Sequence, residues 1–134
     1  MKPVTVPADA ERVVVDYLTG LLPSYGRDCT VAVGVPGTWT ADAGEHLQVA
    51  LDGTPEVQYP VLWRATVRLT AWCAPTSDAK SLAALAQAIC CAHPGSPEVG
   101  AIRALTGVLP ATDPDTRAEL ASVTVRVNLT GTPA

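Results

Sequence analysis

The sequence lacks an apolar run long enough to form a transmembrane helix, which needs about 20 such residues. The longest candidate, 82–92, is rich in alanine and contains Gln87. Residues 1–7 also lack the apolar segment of a signal peptide. With 48% hydrophobic and only 16% charged residues, the 134-residue chain is not expected to be disordered. We therefore expect a single domain over 1–134, with a buried core and no membrane contact.

The sequence also has too few basic residues for a protein that binds nucleic acid by neutralising its phosphates. Nine lysine and arginine residues compare with thirteen aspartate and glutamate residues, and the formal net charge is −4 at pH 7. Sequence-independent binding to nucleic acid and docking on anionic lipid both need a basic surface. We therefore expect neither activity.

Motifs of the common cofactor and catalytic sites are absent as well. The sequence has no glycine-rich dinucleotide or P-loop signature and no G-x-S-x-G nucleophile motif. No two cysteines have the C-x-x-C spacing of a zinc or thioredoxin-type site; they are Cys29, Cys73, Cys90 and Cys91. We expect them to be reduced and mostly in the core of a cytosolic protein. The sequence predicts no cofactor, no metal, no catalytic residue and no enzymatic activity.

Apolar and polar residues alternate over two long stretches, 61–73 and 121–130. Period two over this length indicates a strand with one dry face and one polar face. The predicted elements, in order, are a helix over 9–22, strands over 29–35, 45–51 and 59–73, a helix over 78–92, and strands over 101–109 and 120–130. They predict an α+β fold with a single mixed or mainly antiparallel sheet of about five strands. Both helices pack on its dry face, and the order is α-β-β-β-α-β-β.

The polar face of this predicted sheet carries arginine residues. Arg64 and Arg68 lie on the same face of one strand, and Arg126 lies on another strand. A solvated or salt-bridged sheet face would have this pattern. A subunit interface, where arginine is enriched, would have it too. Both interpretations remain open at this stage.

Two loops are further candidates for contact with a partner. The loop 36–44 contains Trp39, which either folds back onto its own domain or docks into a partner. The polar connection 110–117 is rich in turn residues and is either solvated or part of an interface. The other loop residues that could make such contacts are Thr40, Asp42, Asp113, Asp115 and Arg117.

One small group of residues could support chemistry instead. His46 begins a predicted strand beside Glu45, and Asp42 precedes them in the loop. A histidine with neighbouring carboxylates is suited to acid–base catalysis if the three side chains converge in a pocket. This cluster is the basis for the alternative that the chain is a small ligand-binding or enzymatic α/β domain.

The size and element order of the chain resemble the tail terminator family of long-tailed, noncontractile bacteriophages, also called tail completion or head–tail joining proteins. The resemblance extends over nearly the whole chain and is a pattern rather than a strict signature. It is carried by the helix ending near Leu22-Pro23, the strand Trp63-Arg64-Ala65-Thr66-Val67-Arg68-Leu69, the helix through Leu82-Ala83-Ala84-Leu85, and the strand Val123-Thr124-Val125-Arg126-Val127.

The resemblance implies a structural virion protein that forms a homohexameric ring. Such a ring caps the head-proximal end of the tail tube, ends tube polymerisation and joins the tail to the head connector. DNA crosses its lumen without sequence-specific binding. The implied locations are the host cytoplasm during assembly and then the virion tail. A head–tail connector, a stopper or another neck or minor tail subunit is the alternative within the same class.

Overall fold

Strands dominate the computed structural model, which describes residues 4–37, 39–53, 56–58, 62–75 and 78–133. Two α-helices, α1 (Ala10–Leu21) and α2 (Ala79–Cys91), are accompanied by short 3-10 helices at Leu22–Tyr25 and Ala41–Ala43. The strands are β1 (Thr5–Pro7), β2 (Cys29–Ala32), β3 (Glu45–Leu51), β4 (Glu56–Gln58), β5 (Leu62–Cys73), β6 (Val99–Ala104), β7 (Leu109–Thr112) and β8 (Glu119–Pro133). All of these strands belong to one curled, mixed sheet.

The two longest strands, β5 and β8, form the centre of this sheet. They pair antiparallel along the whole of β5, from Leu62 opposite Thr130 to Cys73 opposite Glu119. The odd-numbered residues from 65 to 73 and from 121 to 129 are buried, whereas the even-numbered residues reach the other face. The alternation of apolar and polar residues therefore identifies the dry face of both strands.

Shorter strands share the outer sides of β5 and β8. Along β8, the strands β7, β6 and β1 pair antiparallel one after another. Along β5, β3 and β4 pair antiparallel, and β2 lies outside β3 and parallel to it. In the described chain, the sheet therefore ends at β2 and β4 on one side and at β1, β6 and β7 on the other.

The predicted fold class, an α+β fold with a five-stranded sheet in the order α-β-β-β-α-β-β, is wrong. The sheet has eight strands, and a strand precedes the first helix. The predicted strand over 101–109 corresponds to two strands, β6 and β7, which pair with different parts of β8. Strands β1, β4 and β7 have only three or four residues each. Such short strands are too brief for a repeat of two to be visible.

Both helices begin at aspartate caps and contribute to the core on the dry face. Asp9 Oδ1 accepts hydrogen bonds from the first turn of α1, and Asp78 Oδ1 accepts one from Ser81 N at 3.0 Å in α2. One hydrophobic cluster joins the buried odd-numbered strand residues to helical side chains, among them Val14, Leu18, Leu82, Ala86 and Ile89. The polar face of the sheet lies on the opposite side of this core.

Leu69→Ala should lower the free energy of unfolding by about 2–5 kcal/mol, because it opens a cavity in the centre of the core. Leu69 is fully buried and lies between Val49 and Val123 in the sheet. Urea unfolding followed by tryptophan fluorescence measures the loss. The control is Thr70→Ala on the polar face, for which we expect a loss of about 1 kcal/mol or less. Equal losses at the two positions would contradict the assignment of the dry face.

Candidate functional site

The polar sheet face gathers three arginine side chains into one cleft. Arg64 on β5, Arg126 on β8 and Arg103 on β6 line a cleft of about 280 Å³ together with Asn128. The register explains the grouping, because Arg103 lies directly opposite Arg126 and Arg64 lies opposite Asn128. Arg64 and Arg126 are half-buried, and Arg103 is exposed. The cleft is therefore strongly basic on a chain of net negative charge.

The sequence-based grouping of Arg64, Arg68 and Arg126 holds only in part. Arg68 lies further along β5, where its Nη2 donates to Asp52 Oδ2 at 2.9 Å. Both of these side chains are substantially exposed, so the pair contributes little to stability. Arg103 takes the third place in the cleft. Sequence analysis did not single it out, although its position after buried Ile102 puts it on the polar face.

His46 is buried in the structure and serves to hold a loop. Its side chain is only 1% exposed. Nε2 lies 2.6 Å from the carbonyl oxygen of Gly34, and Nδ1 lies 2.7 Å from Thr30 Oγ1. A carbonyl oxygen only accepts hydrogen bonds, so Nε2 donates to Gly34, and Nδ1 shares a second hydrogen bond with the Thr30 hydroxyl. The ring thus ties β3 to β2 and to the start of the crossover that joins these parallel strands.

The three residues of the possible catalytic cluster do not converge. Glu45 precedes His46 on β3, so its side chain lies on the other face, where Oε2 accepts from Arg27 Nη2 at 2.5 Å. Asp42 is exposed in the 3-10 helix of the crossover. The alternative of a catalytic site at these residues therefore loses its geometric basis.

The Trp39 side chain packs against its own chain. Its ring lies edge-to-face with Trp72 of β5, with 5.6 Å between the ring centroids. Its Nε1 donates to the carbonyl oxygen of Gly44 at 3.2 Å. Of the two alternatives for this residue, the structure has the ring folded back and half-buried. Thr40 and Asp42 of the same loop are exposed.

The polar turn between β7 and β8 is internally ordered. Asp113 Oδ2 accepts from both the backbone N–H and the hydroxyl of Thr116, at 2.9 and 2.6 Å. Both bonds hold the pKa of Asp113 below its usual value, and the bond from the Thr116 hydroxyl has the larger effect. Arg117 has a left-handed backbone with φ of 59°. With Asp115 also exposed, the turn is a preformed projection at one end of the sheet.

The four cysteines are free thiols in different surroundings. Burial raises the pKa of Cys29, Cys73 and Cys90 to about 12 in each case, and the nearby Glu45 carboxylate adds to the rise for the first two. Cys91 is exposed at the end of α2. The expectation of mostly buried cysteines holds for Cys73 and Cys90, whereas Cys29 is half-buried.

In the described part of the chain, no group of three or more histidine, cysteine, aspartate or glutamate residues has an arrangement that could hold a metal ion. Among the described residues, no helix combines the length and the apolar character needed to cross a membrane. No protein-family model matches this chain, and a search of curated proteins finds no significant match. The basic cleft, the projecting turn and the sheet edges are therefore the features from which a function can be argued.

His46→Leu should lower the free energy of unfolding by about 1–3 kcal/mol, because it removes the hydrogen bonds of the buried ring to the Gly34 carbonyl and the Thr30 hydroxyl. The loop that carries Trp39 should loosen as well. The near-ultraviolet circular dichroism signal that arises from its contact with Trp72 should then decrease. Thr30→Val removes only one of the two bonds and should have a smaller effect. Unchanged stability of His46→Leu would show that the ring does not hold the crossover.

Iodoacetamide at pH 8 should modify Cys91 first and Cys90 only when the chain opens, because Cys91 is exposed whereas burial shields Cys90 and raises its pKa to about 12. Mass spectrometry over time measures the rates, and Cys91→Ser should remove the fast phase. Equal rates for both cysteines would contradict the described burial.

The free energy of unfolding should fall as pH rises from about 9 towards 12, because thiols of the unfolded chain then ionise while the buried ones stay protonated.

Proposed function

We propose that the chain is a structural subunit that assembles into a ring and caps the head-proximal end of a bacteriophage tail tube. What supports the proposal, beyond the resemblance in size and element order, is the pair of unlike sheet edges. Among the described strands, β2 pairs only with β3, and β6 and β7 pair only with β8. Such edges offer unpaired backbone N–H and C=O groups to a neighbouring chain. A contact between two different edges is heterologous and closes into a ring at the right rotation.

The exposed strand β7 and the turn that follows it are the favoured contact on one side. All four residues of β7 are exposed, and Leu109 presents 60% of its surface to solvent. Leu105, just before the strand, is also a large exposed hydrophobic residue. The adjoining turn with Asp113, Asp115 and Arg117 is held in shape by its own hydrogen bonds, so little entropy is lost when it docks.

The other predicted contact residues are less free to contact a partner. Arg64 and Arg126 are partly enclosed in the cleft, and Arg68 is exposed but already paired with Asp52. Trp39 offers only the part of its ring that Trp72 leaves uncovered. We therefore assign subunit contacts to the strand edges and the β7–β8 turn, and contacts with the tail tube or head connector to the loop with Thr40 and Asp42.

In this proposal the ring stops tube growth and then presents its other surface to the head connector, and DNA crosses the lumen. The subunit works by binding and shape and uses no cofactor. A connector or stopper subunit of the neck would have the same edges and loops. The two roles differ in the partner that the ring binds first, which an assembly assay can measure.

Leu109→Glu should prevent ring formation without unfolding the chain, because it places a charge in the proposed strand contact. Light scattering coupled to size exclusion, together with negative-stain imaging, measures the assembly; we expect hexameric rings of the 13.9 kDa chain for the unmodified protein. The matched control is Tyr25→Glu, since Tyr25 is 58% exposed but lies in the 3-10 helix after α1. The proposal is supported if Tyr25→Glu assembles and Leu109→Glu does not. It is contradicted if the unmodified protein is monomeric at all concentrations.

The capping role is tested by adding purified rings to polymerising tail tube protein. Rings of a terminator should bind one end of the tube and stop its elongation, as seen by electron microscopy. Leu109→Glu should lose this effect, and Tyr25→Glu should keep it. Rings that bind the head connector and leave tube growth unchanged would instead identify a neck protein.

A further inference from the structure

The cleft formed by Arg64, Arg103 and Arg126 has an uncompensated concentration of positive charge. Three other arginines of the described chain have carboxylate partners: Arg12 with Asp16 and Glu98, Arg27 with Glu45, and Arg68 with Asp52, whereas the exposed Arg117 in the turn between β7 and β8 has no described ion pair. Within the residues that the structure describes, no ion pair involves any of the three cleft arginines. These cations therefore differ from the paired arginines of the same chain.

The strand register makes this arrangement unfavourable for the unliganded chain. Arg103 and Arg126 are directly opposite on neighbouring strands, where like charges destabilise a sheet. Glu56 is the only acidic residue opposite one of the three in the described pairing, and it lies across from Arg64. Arg103 and Arg126 have no acidic residue opposite them in the described pairing. An anion from outside the chain would relieve the remaining repulsion.

Asn128 provides a second, independent sign of an incomplete site. Its Oδ1 atom is buried and has no hydrogen-bond partner in the structure. A buried polar atom without a partner is rare and costly, and a ligand or an ordered ion is a common reason for it. The amide can turn over so that its NH₂ group occupies the same place as a donor. In that orientation the amide presents N–H donors instead of an acceptor at this buried position beside the cleft.

We propose that this cleft binds a phosphate group. Guanidinium groups match phosphate oxygens with paired N–H donors, and three of them can surround a tetrahedral anion. The volume of about 280 Å³ is several times the roughly 30 Å³ of one water molecule, so the phosphate and some water fit together. The half-burial of Arg64 and Arg126 reduces screening by solvent, which strengthens the attraction. The site lies within one chain and does not depend on ring formation.

Isothermal titration of the full chain with inorganic phosphate at low ionic strength tests the proposal. We expect saturable binding of one phosphate per chain, with at least tenfold weaker affinity for Arg126→Gln and for Arg103→Gln. Asn128→Asp should abolish binding, because it introduces a negative charge beside the anion. The matched control is Arg68→Gln, which removes the same charge from the same sheet face outside the cleft and should change the affinity by less than twofold.

A second arm distinguishes the two sources of a phosphate group. A short DNA duplex that binds, competes with inorganic phosphate and loses affinity in the same variants identifies the nucleic-acid backbone as the source. Inorganic phosphate that binds without competition from DNA identifies a free phosphate ligand. Thermal unfolding of each variant checks that the fold is intact.

Three results would overturn the proposal. The first is the absence of saturable phosphate binding in the folded protein. The second is an equal loss of affinity in Arg68→Gln, which would indicate general attraction to surface charge. The third is that Arg103→Gln and Arg126→Gln weaken self-association and leave phosphate binding unchanged. That result would show that these arginines contact a neighbouring chain and not a phosphate group. Ring formation by a protein that binds no phosphate would overturn this site and leave the proposed function standing.

Discussion

The antiparallel pairing of β5 with β8 is the constraint on which the rest of the structure depends. Because side chains alternate along a strand, a slip of one residue in this register would move every valine and leucine of one strand to the polar face. The buried odd-numbered positions, such as Val67 opposite Val125, make that slip prohibitively costly. The same register then determines which strands can pair on the outer sides and where both helices find an apolar surface.

The polar face follows from this register as much as the core does. The residues between the buried ones are free to carry charge, and the pairing brings Arg64, Arg126 and Arg103 together from three strands. The crossover between β2 and β3 shows the same dependence at the other end of the face. There His46 and Trp72 lie opposite each other in register, and each holds part of the crossover, the first at Gly34 and the second at Trp39.

The sequence predicted the parts of the fold that have local signals. The alternation over 63–71 in β5 and the aspartate caps of α1 and α2 identify long elements without knowledge of their partners. The strand count failed because β1, β4 and β7 are defined by their neighbours rather than by their own pattern. The candidate site was predicted only in part, because one of its strands is also defined by its neighbour rather than by its own pattern. Arg64 and Arg126 belong to clear repeats, whereas Arg103 joins them only through the pairing of β6 with β8.

The pairing of β1 with the far end of β8 places the two ends of the described chain side by side. Thr5 lies opposite Pro133, and Pro7 lies opposite Gly131. A short linker could therefore join these ends, and the chain could be reopened at the exposed turn between β7 and β8 without removing a core residue. Such a circular permutant would keep every strand contact while changing their order in the chain. It would separate the contribution of chain connectivity from that of side-chain packing.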